Sequence, residues 1–345
     1  MPPRSKTSHC GPISMVCVAI VAIALLHASS AAAEPIVIRF SHVVADDTPK
    51  GKAALRFKEA AERRTGGLVR VEVYPSGTLY KDGDEIDALL AGKVEMIAPS
   101  LSKFSQLGLT EFEVFDLPYI FPSRGMLRRI TDGTVGQALL KKLEPKGVTG
   151  LAYWDNGFKV ISANTRIRAP QDFKGLRMRV QPSRVLEAQM RTLGAIPVPM
   201  AFSEVFKALQ SGSVDGTENP PSNLYTRKMH EVQKYVAVTN HGYLGYAVIT
   251  NKRFWDSLPD HIRLHLKLAM FDATRYANLY AEKENNDALA KVRASGTTDV
   301  YELSADEREV WRRALMPVHR EMESRIGADV LQAVYEEGAA LGHKF

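Results

Sequence analysis

Two periods take turns along this chain. From Ile36 to Ser41 apolar residues alternate with Arg39, and Leu68 to Tyr74 repeats the pattern as Leu68-Val69-Arg70-Val71-Glu72-Val73-Tyr74. Both read as strands with one face buried. Between them, Lys50 to Arg64 has the spacing of an amphipathic helix, which Gly66-Gly67 ends. Asp84 to Leu90 is the next helix, stopped by Gly92, and Val94 to Ala98 is a short strand. Strand, helix, strand, helix, strand predicts a largely parallel sheet with right-handed crossovers. Ligands of such sheets sit beyond the carboxyl ends of the strands. Thr48-Pro49-Lys50 and Pro99-Ser100-Leu101-Ser102-Lys103 come after the first and third strands, so they fall in that place.

A second unit of the same kind begins near Val148. Gly150 to Tyr153, Val160 to Asn164 and Arg177 to Gln181 read as strands, and Ser183 to Leu193 as a helix with Ser183 as its N-cap and Gly194 as its stop. Phe202 to Gln210 is a further helix, capped by Ser203, and Tyr243 to Thr250 returns as an apolar strand. Asp260 to Ala294 then runs without proline or glycine, with Ile262, Leu264, Leu266, Leu268, Phe271, Tyr276, Leu279 and Tyr280 at helical spacing. At about 1.5 Å per residue this is a helix roughly 50 Å long, or two helices with a kink between them. No a/d heptad is sustained across it, which argues against a coiled coil.

Composition narrows the class. Arg4 and Lys6 precede an apolar run from Met15 to Leu26 and a small-residue stretch Ala31-Ala32-Ala33, the order of an export signal cleaved before Glu34. That run is short of the roughly 20 residues a membrane span needs. An N-terminal anchor that is never cleaved is the alternative. Both cysteines, Cys10 and Cys17, lie in this leader, so the rest of the chain has no disulfide, thiol nucleophile or thiolate metal site. Neither has the lead-in of a lipoprotein signal, so no lipid anchor is expected. The formal charge of +6 becomes +4 without Arg4 and Lys6. Basic residues are interspersed with acids, as in Arg63-Arg64 near Glu59 and Glu62, with no basic tract of the kind that binds nucleic acid. The excess suits an anionic small ligand and an ordinary solvated surface equally.

The richest segment runs from Gly175 to Asn223. Leu176, Met178 and Val180 alternate with Arg177 and Arg179. An arginine on a rigid strand can grip a carboxylate with two parallel hydrogen bonds, or close an ordinary ion pair. Ala201-Phe202-Ser203-Glu204-Val205-Phe206 and Val214-Asp215-Gly216-Thr217-Glu218-Asn219-Pro220-Pro221-Ser222-Asn223 come next. With them go Phe40-Ser41-His42, Thr48-Pro49-Lys50-Gly51, Tyr74-Pro75-Ser76-Gly77, Phe115-Asp116-Leu117-Pro118-Tyr119 and Asn156-Gly157-Phe158-Lys159. Glu231-Val232-Gln233-Lys234-Tyr235, Asn240-His241-Gly242-Tyr243 and Phe254-Trp255-Asp256-Ser257-Leu258-Pro259 complete the set. In this order the motifs resemble the periplasmic solute-binding proteins of the tripartite ATP-independent periplasmic (TRAP) transporters, specifically the C4-dicarboxylate-binding subgroup. The resemblance covers nearly all of the chain after the leader.

The resemblance implies a two-lobed α/β fold with the ligand in the interdomain cleft and one long helix, at Asp260 to Ala294, spanning both lobes. The expected division is a leader at 1–33, lobe I at 34–156 plus 247–285, and lobe II at 157–246 plus 286–345. Arg179 falls on the family's carboxylate anchor and Asn219 on an asparagine that donates to the same carboxylate. Phe202 falls on an aromatic pocket wall, and Lys159 on a position where relatives that bind acidic sugars have a second arginine. Ser100 and Lys103 match cleft positions in the first lobe, and Lys50 stands at a helix N-terminus that favours an anion. His42 and His241 are expected to be satisfied or supporting histidines. A dicarboxylate needs both its charges met, so one arginine and at least one lysine should face it from opposite walls. The implied function is a monomeric periplasmic receptor that passes succinate, malate or fumarate to the small and large membrane subunits of a TRAP permease. Receptors for keto, aromatic or sugar acids are the nearest alternative. An exported α/β enzyme acting on a carboxylate is the competing class, but no nucleophile elbow, His-Glu-x-x-His, phosphate loop or dinucleotide fingerprint is present. No cofactor or metal is expected.

Overall fold

The computed structural model describes residues 1–3 and 34–343; the expected leader, including Cys10 and Cys17, lies almost wholly outside the described residues. Two sheets organise the rest. The first has the order β2-β1-β3-β10-β4, built from β1 (Ile36–Ser41), β2 (Val69–Tyr74), β3 (Met96–Ile97), β4 (Val148–Phe158) and β10 (Tyr243–Asn251). The second has the order β11-β9-β5-β8-β6-β7, built from β5 (Val160–Ala163), β6 (Arg177–Val180), β7 (Ile196–Pro199), β8 (Gly216–Asn219), β9 (Tyr235–Val238) and β11 (Asp299–Glu302).

The expectation of a largely parallel first sheet holds only for its start. β1 pairs in parallel with β2 and β3, but β10 enters antiparallel between β3 and β4. The strand expected within Gly150 to Tyr153 is part of β4 and joins the first sheet, not the second. β10 lies wholly in the first sheet, including residues 243–246, which the sequence division assigned to the second lobe. The chain crosses between sheets three times, at two short connections and through the long segment from β10 to β11. Lys159 alone separates β4 from β5, and Thr239 to Gly242 separate β9 from β10. The two connections are bonded to each other, Lys159 N donating to Gly242 O at 2.9 Å.

Helix α1 (Pro49–Arg64) comes after β1, and α2 (Glu85–Leu90) precedes β3. After α3 (Arg124–Asp132) and α4 (Thr134–Lys141) come α5 (Arg184–Thr192), α6 (Val205–Gln210), α7 (Pro221–Thr226) and α8 (Lys252–Ser257). Ser183 caps α5 as expected, accepting from Leu186 N. Ser203 caps nothing: Phe202–Glu204 is a tight 3₁₀ turn and α6 starts only at Val205. The amide of Phe202 is bonded to Asp82 Oδ2, which fixes that turn from outside the helix.

Helix α9 (Asp260–Ala294) is one unbroken element of 35 residues, packed on α1 and β4 at one end and on α7 and β11 further along. It buries a file of alanines, Ala269, Ala273, Ala277 and Ala281, whereas Leu264, Leu268, Phe271, Leu279 and Tyr280 stay exposed. Alanine at every fourth position lets α1, with Ala53, Ala54, Ala60 and Ala61 buried, approach closely. Asn285 ties the helix to the crossing, donating to Asn156 O at 2.5 Å and accepting from Ser222 N at 3.0 Å. Gly157 (φ +148°) makes this approach possible, since a Cβ there would lie 2.7 Å from Asn285 Nδ2. Three last helices, α10 (Ala305–Leu315), α11 (Pro317–Ile326) and α12 (Ala328–Ala340), complete the fold.

Candidate ligand-binding cleft

The seven expected site residues are all buried, and they gather where the ends of the two sheets meet. Lys50 owes its place to the first turn of α1, where the Thr48 hydroxyl accepts from Gly51 N at 3.2 Å. A Cβ at Gly51 would stand 2.3 Å from Ala45 O, so glycine lets the preceding loop fold this tightly. Lys50 Nζ donates to Ala98 O at 2.9 Å and lies 3.7 Å from the centre of the Tyr246 ring. Burial pushes its pKa from 10.5 down to about 7, with Glu85 opposing the drop and Lys103 adding to it.

The other lysines are already matched. Lys103 Nζ lies 2.5 Å from Asp82 Oδ1 and 2.6 Å from Glu85 Oε1. Burial lowers its pKa, but these two acids more than offset that and leave it raised. Lys159, at the crossing, holds Glu218 at 2.6 Å. Glu218 also receives His241 Nε2 at 2.8 Å and Gln189 Nε2 at 3.1 Å. Burial alone would raise Glu218, yet Lys159 and His241 outweigh it and hold the carboxylate well below its usual range. His241 also meets Thr239 Oγ1 at 2.6 Å, so it is satisfied, as the sequence suggested. His42 is kept neutral: burial, then the nearby Lys50, pushes its pKa down to about 3.

The two strand arginines part company. Arg177 is exposed and pairs with Asp215 at 2.7 Å. Arg179 is buried, and its Nε and Nη2 both donate to Met200 O, at 3.1 and 2.7 Å. Burial lowers its pKa from 12.5 to about 10 against the pull of Asp82 and Glu218. Asn219 closes β8, and among the described residues its Nδ2 meets only the Met229 sulfur, at 4.0 Å. Phe202 has the Arg227 guanidinium 5.0 Å from its ring centre. Ser100 Oγ receives Gln181 Nε2 at 2.9 Å. This bond, Phe202 N to Asp82, and Arg227 Nη2 to Val43 O at 3.4 Å join elements of one sheet to elements of the other.

Asp82, Glu85, Gln181, Asn223, Arg227 and Tyr246 belong to this site but were not singled out from the sequence. Only the acids left a trace, in the run Asp82-Gly83-Asp84-Glu85, which reads as a helix start. Chemically, the site holds two fully buried cations, Arg179 and Lys50, and the half-buried Arg227, none with a carboxylate at ion-pairing distance among the described residues. Such charges call for an anion.

Residues 40–325 match the family described as bacterial extracellular solute-binding protein, family 7. The chain belongs to this family. It is 58% identical over 317 residues to the C4-dicarboxylate-binding periplasmic protein DctP of Rhodobacter capsulatus, covering 92% of this chain and 95% of that one. It is 40% identical to the C4-dicarboxylate-binding protein DctB of Bacillus subtilis, over 88% of this chain and 87% of the other. A TRAP periplasmic solute-binding protein from Shewanella oneidensis with bound succinate superposes with a TM-score of 0.85 at 42% identity, covering 88% of this chain and 99% of that chain. One from Pseudomonas aeruginosa with bound L-malate gives 0.81 at 46% identity, covering 83% and 100%. The family is thus the TRAP solute-binding class that the motifs resemble, and the fold is its two-lobed α/β architecture. No helix among the described residues is long and apolar enough to cross a membrane.

Proposed function

We propose that the protein is a periplasmic receptor that binds a C4-dicarboxylate, succinate, malate or fumarate, and delivers it to a TRAP-type secondary transporter in the inner membrane. The observation that carries this reading is the pair of buried cations without carboxylate partners, Arg179 from β6 of the second sheet and Lys50 from the first turn of α1. In this reading Arg179 and Asn219 take the proximal carboxylate, Lys50 takes the distal one, and Phe202 and Ser100 shape the walls. Lys103 and Lys159 keep their protein partners and fix the shape of the chamber. The leader at 1–33 is removed on export, the two lobes divide near Lys159 and Thr239 to Gly242, and small and large permease subunits receive the closed, loaded form. Sequence identity to dicarboxylate-binding relatives favours this acid class over sugar acids, since the galactonate-binding neighbour is 33% identical.

Thermal melting of the exported protein against a panel of organic acids tests the assignment. A ligand at 100 times its Kd adds about 2.7 kcal/mol. Succinate, fumarate or malate should shift the transition most. A larger shift with galactonate or a keto acid would replace the dicarboxylate assignment, and chemical turnover of the acid would replace the receptor.

A further inference from the structure

We propose that a groove at the short crossings is a second ligand site, one that takes a small aromatic monocarboxylate and, when filled, favours the form in which the contacts across the cleft are made; the coupling to closure rests on the receptor reading above. Neighbouring residues of each crossing serve different sites. At the first, Lys159 reaches Glu218 in the cleft, whereas Phe158 lines the groove. At the second, His241 reaches the same Glu218, whereas Asn240 lines the groove. None of the residues lining the groove is among those of the cleft. Tyr119 fastens the groove to the second crossing, its amide donating to His241 O at 2.7 Å and its hydroxyl to Thr239 O at 3.3 Å. Tyr119 and Asn240 both have left-handed backbone, with φ of +56° and +48°. Residues other than glycine seldom adopt it, and such strain gathers at ligand clamps and switch regions. A rotation of one sheet against the other turns the crossings, and so reshapes this groove.

The groove holds about 340 Å³, room for a compact ligand. Its lining sets the shape and charge of that ligand. Tyr119, Phe121, Phe158 and Met316 offer rings and a thioether, which suit a flat apolar body. Two arginines of α10 stand beside them, and they differ. Arg312 is matched, its Nε and Nη2 holding Glu309 at 2.7 and 3.0 Å. Arg308 is exposed and, among the described residues, donates only to Leu303 O, at 3.4 Å, with no acid at ion-pairing distance. One unmatched guanidinium calls for one carboxylate, and Glu309 beside it opposes a second negative charge. The helix that carries Arg308 is anchored, Trp311 Nε1 donating to Arg168 O at 3.0 Å. A ring acid bound here touches α10 and both crossings, so it fits one arrangement of them best. A ligand favours the form it binds more tightly, and the coupling between two sites is reciprocal. In the form with this groove, Gln181 holds Ser100 and Asp82 holds the Phe202 amide across the cleft. Filling the groove therefore strengthens dicarboxylate binding.

Titration calorimetry of the exported protein with 2-naphthoate, alone and at saturating succinate, provides the test. It is run on wild type, Arg308→Glu and Ala305→Trp, each checked for a native melting transition; the last places a ring in the groove itself. One naphthoate per chain should bind, and succinate should tighten it at least about fivefold without displacing it. Naphthoate should tighten succinate by the same factor. Each variant should weaken naphthoate at least about tenfold, while succinate measured alone keeps its affinity within about twofold. Small-angle scattering with naphthoate alone should already show a more compact particle than the free protein. Absence of naphthoate binding, its displacement by succinate, or unchanged naphthoate affinity in the folded variants overturns the site. Naphthoate binding with superposable scattering curves overturns the coupling. Failure of succinate to bind, with naphthoate binding and compaction intact, would instead sink the dicarboxylate reading and leave this site standing.

Discussion

Replacing Lys50 by methionine should make the ligand-free protein more stable and a worse receptor at the same time. The side chain is fully buried, and its folded pKa of about 7 lies far below the 10.5 of the unfolded chain. That difference corresponds to about 5 kcal/mol of strain on the charged form, at 1.36 kcal/mol per pH unit. Proton counting sets the sign. Between pH 7 and 10.5 the unfolded chain holds a proton that the folded one has released, so this group makes stability rise with pH across that window. Below about pH 7 both states are charged and the burden is felt in full. Methionine has nearly the same length and no charge. It removes the burden but also the bond to Ala98 O and the contact with the Tyr246 ring, worth about 1 kcal/mol each. A net gain of roughly 1–3 kcal/mol at pH 7 remains, which should raise Tm by about 3 °C or more. Succinate affinity should fall by about 2–3 kcal/mol, the worth of one charge-assisted pair. Calorimetric unfolding at pH 7 and 9, with succinate titrations beside it, reads both quantities. A folded variant that is less stable at pH 7 and binds succinate as tightly as wild type would refute the reasoning, because Lys50 would then be a structural cation.

Arg179→Lys should keep the fold and lose about 2–3 kcal/mol of dicarboxylate affinity, since lysine keeps the charge but not the planar fork, whose Nε and Nη2 hold Met200 O; unchanged affinity by titration would remove it from the site. Butyrate should bind at least about 2 kcal/mol more weakly than succinate because it leaves Lys50 unmatched, and equal thermal stabilisation by the two acids would end the dicarboxylate assignment. Small-angle scattering should show a more compact particle with succinate than without it, as closure about the crossings requires; superposable curves at saturation would mean a rigid site.

Much of the frame was legible because local chemistry dictates it. Ile36 to Ser41 alternates, Ser183 stands where it can cap the helix after it, and Asp260 to Ala294 contains nothing that breaks a helix. The direction of β10 was not legible, since an apolar strand buried on both faces looks the same parallel or antiparallel. The buried face of α9 was misleading for a different reason. Hydrophobicity points to leucine and phenylalanine, but close helix packing selects alanine, leaving Leu264 and Phe271 outside. In the cleft, residue identity outran partnership. Lys50, Lys103 and Lys159 look alike in the sequence, and only the fold brings Glu85 to Lys103 and Glu218 to Lys159 while leaving Lys50 without an acid.

That asymmetry bears on how binding and closure are coupled. The contacts that join the two halves across the cleft are partly apolar, with Val43 and Val44 in one core cluster with Phe202 and Val205, and partly polar, such as Gln181 to Ser100 and Phe202 N to Asp82. Bonds of this kind exchange for bonds to water and contribute about 1 kcal/mol each. Against them, the closed form withdraws Lys50 and Arg179 from solvent, and the depressed pKa of each records the cost of doing so. In the proposed receptor the burial of these two charges opposes closure when the cleft is empty. A dianion reverses the balance, because it meets both charges at once and does so only when the two walls come together. A monoanion meets one and leaves the other exposed to the same cost. If a dicarboxylate binds as proposed, selectivity for two carboxylates and ligand-dependent closure would be a single property, set by leaving these two cations without acids of their own while the neighbouring Lys103 and Lys159 each have one.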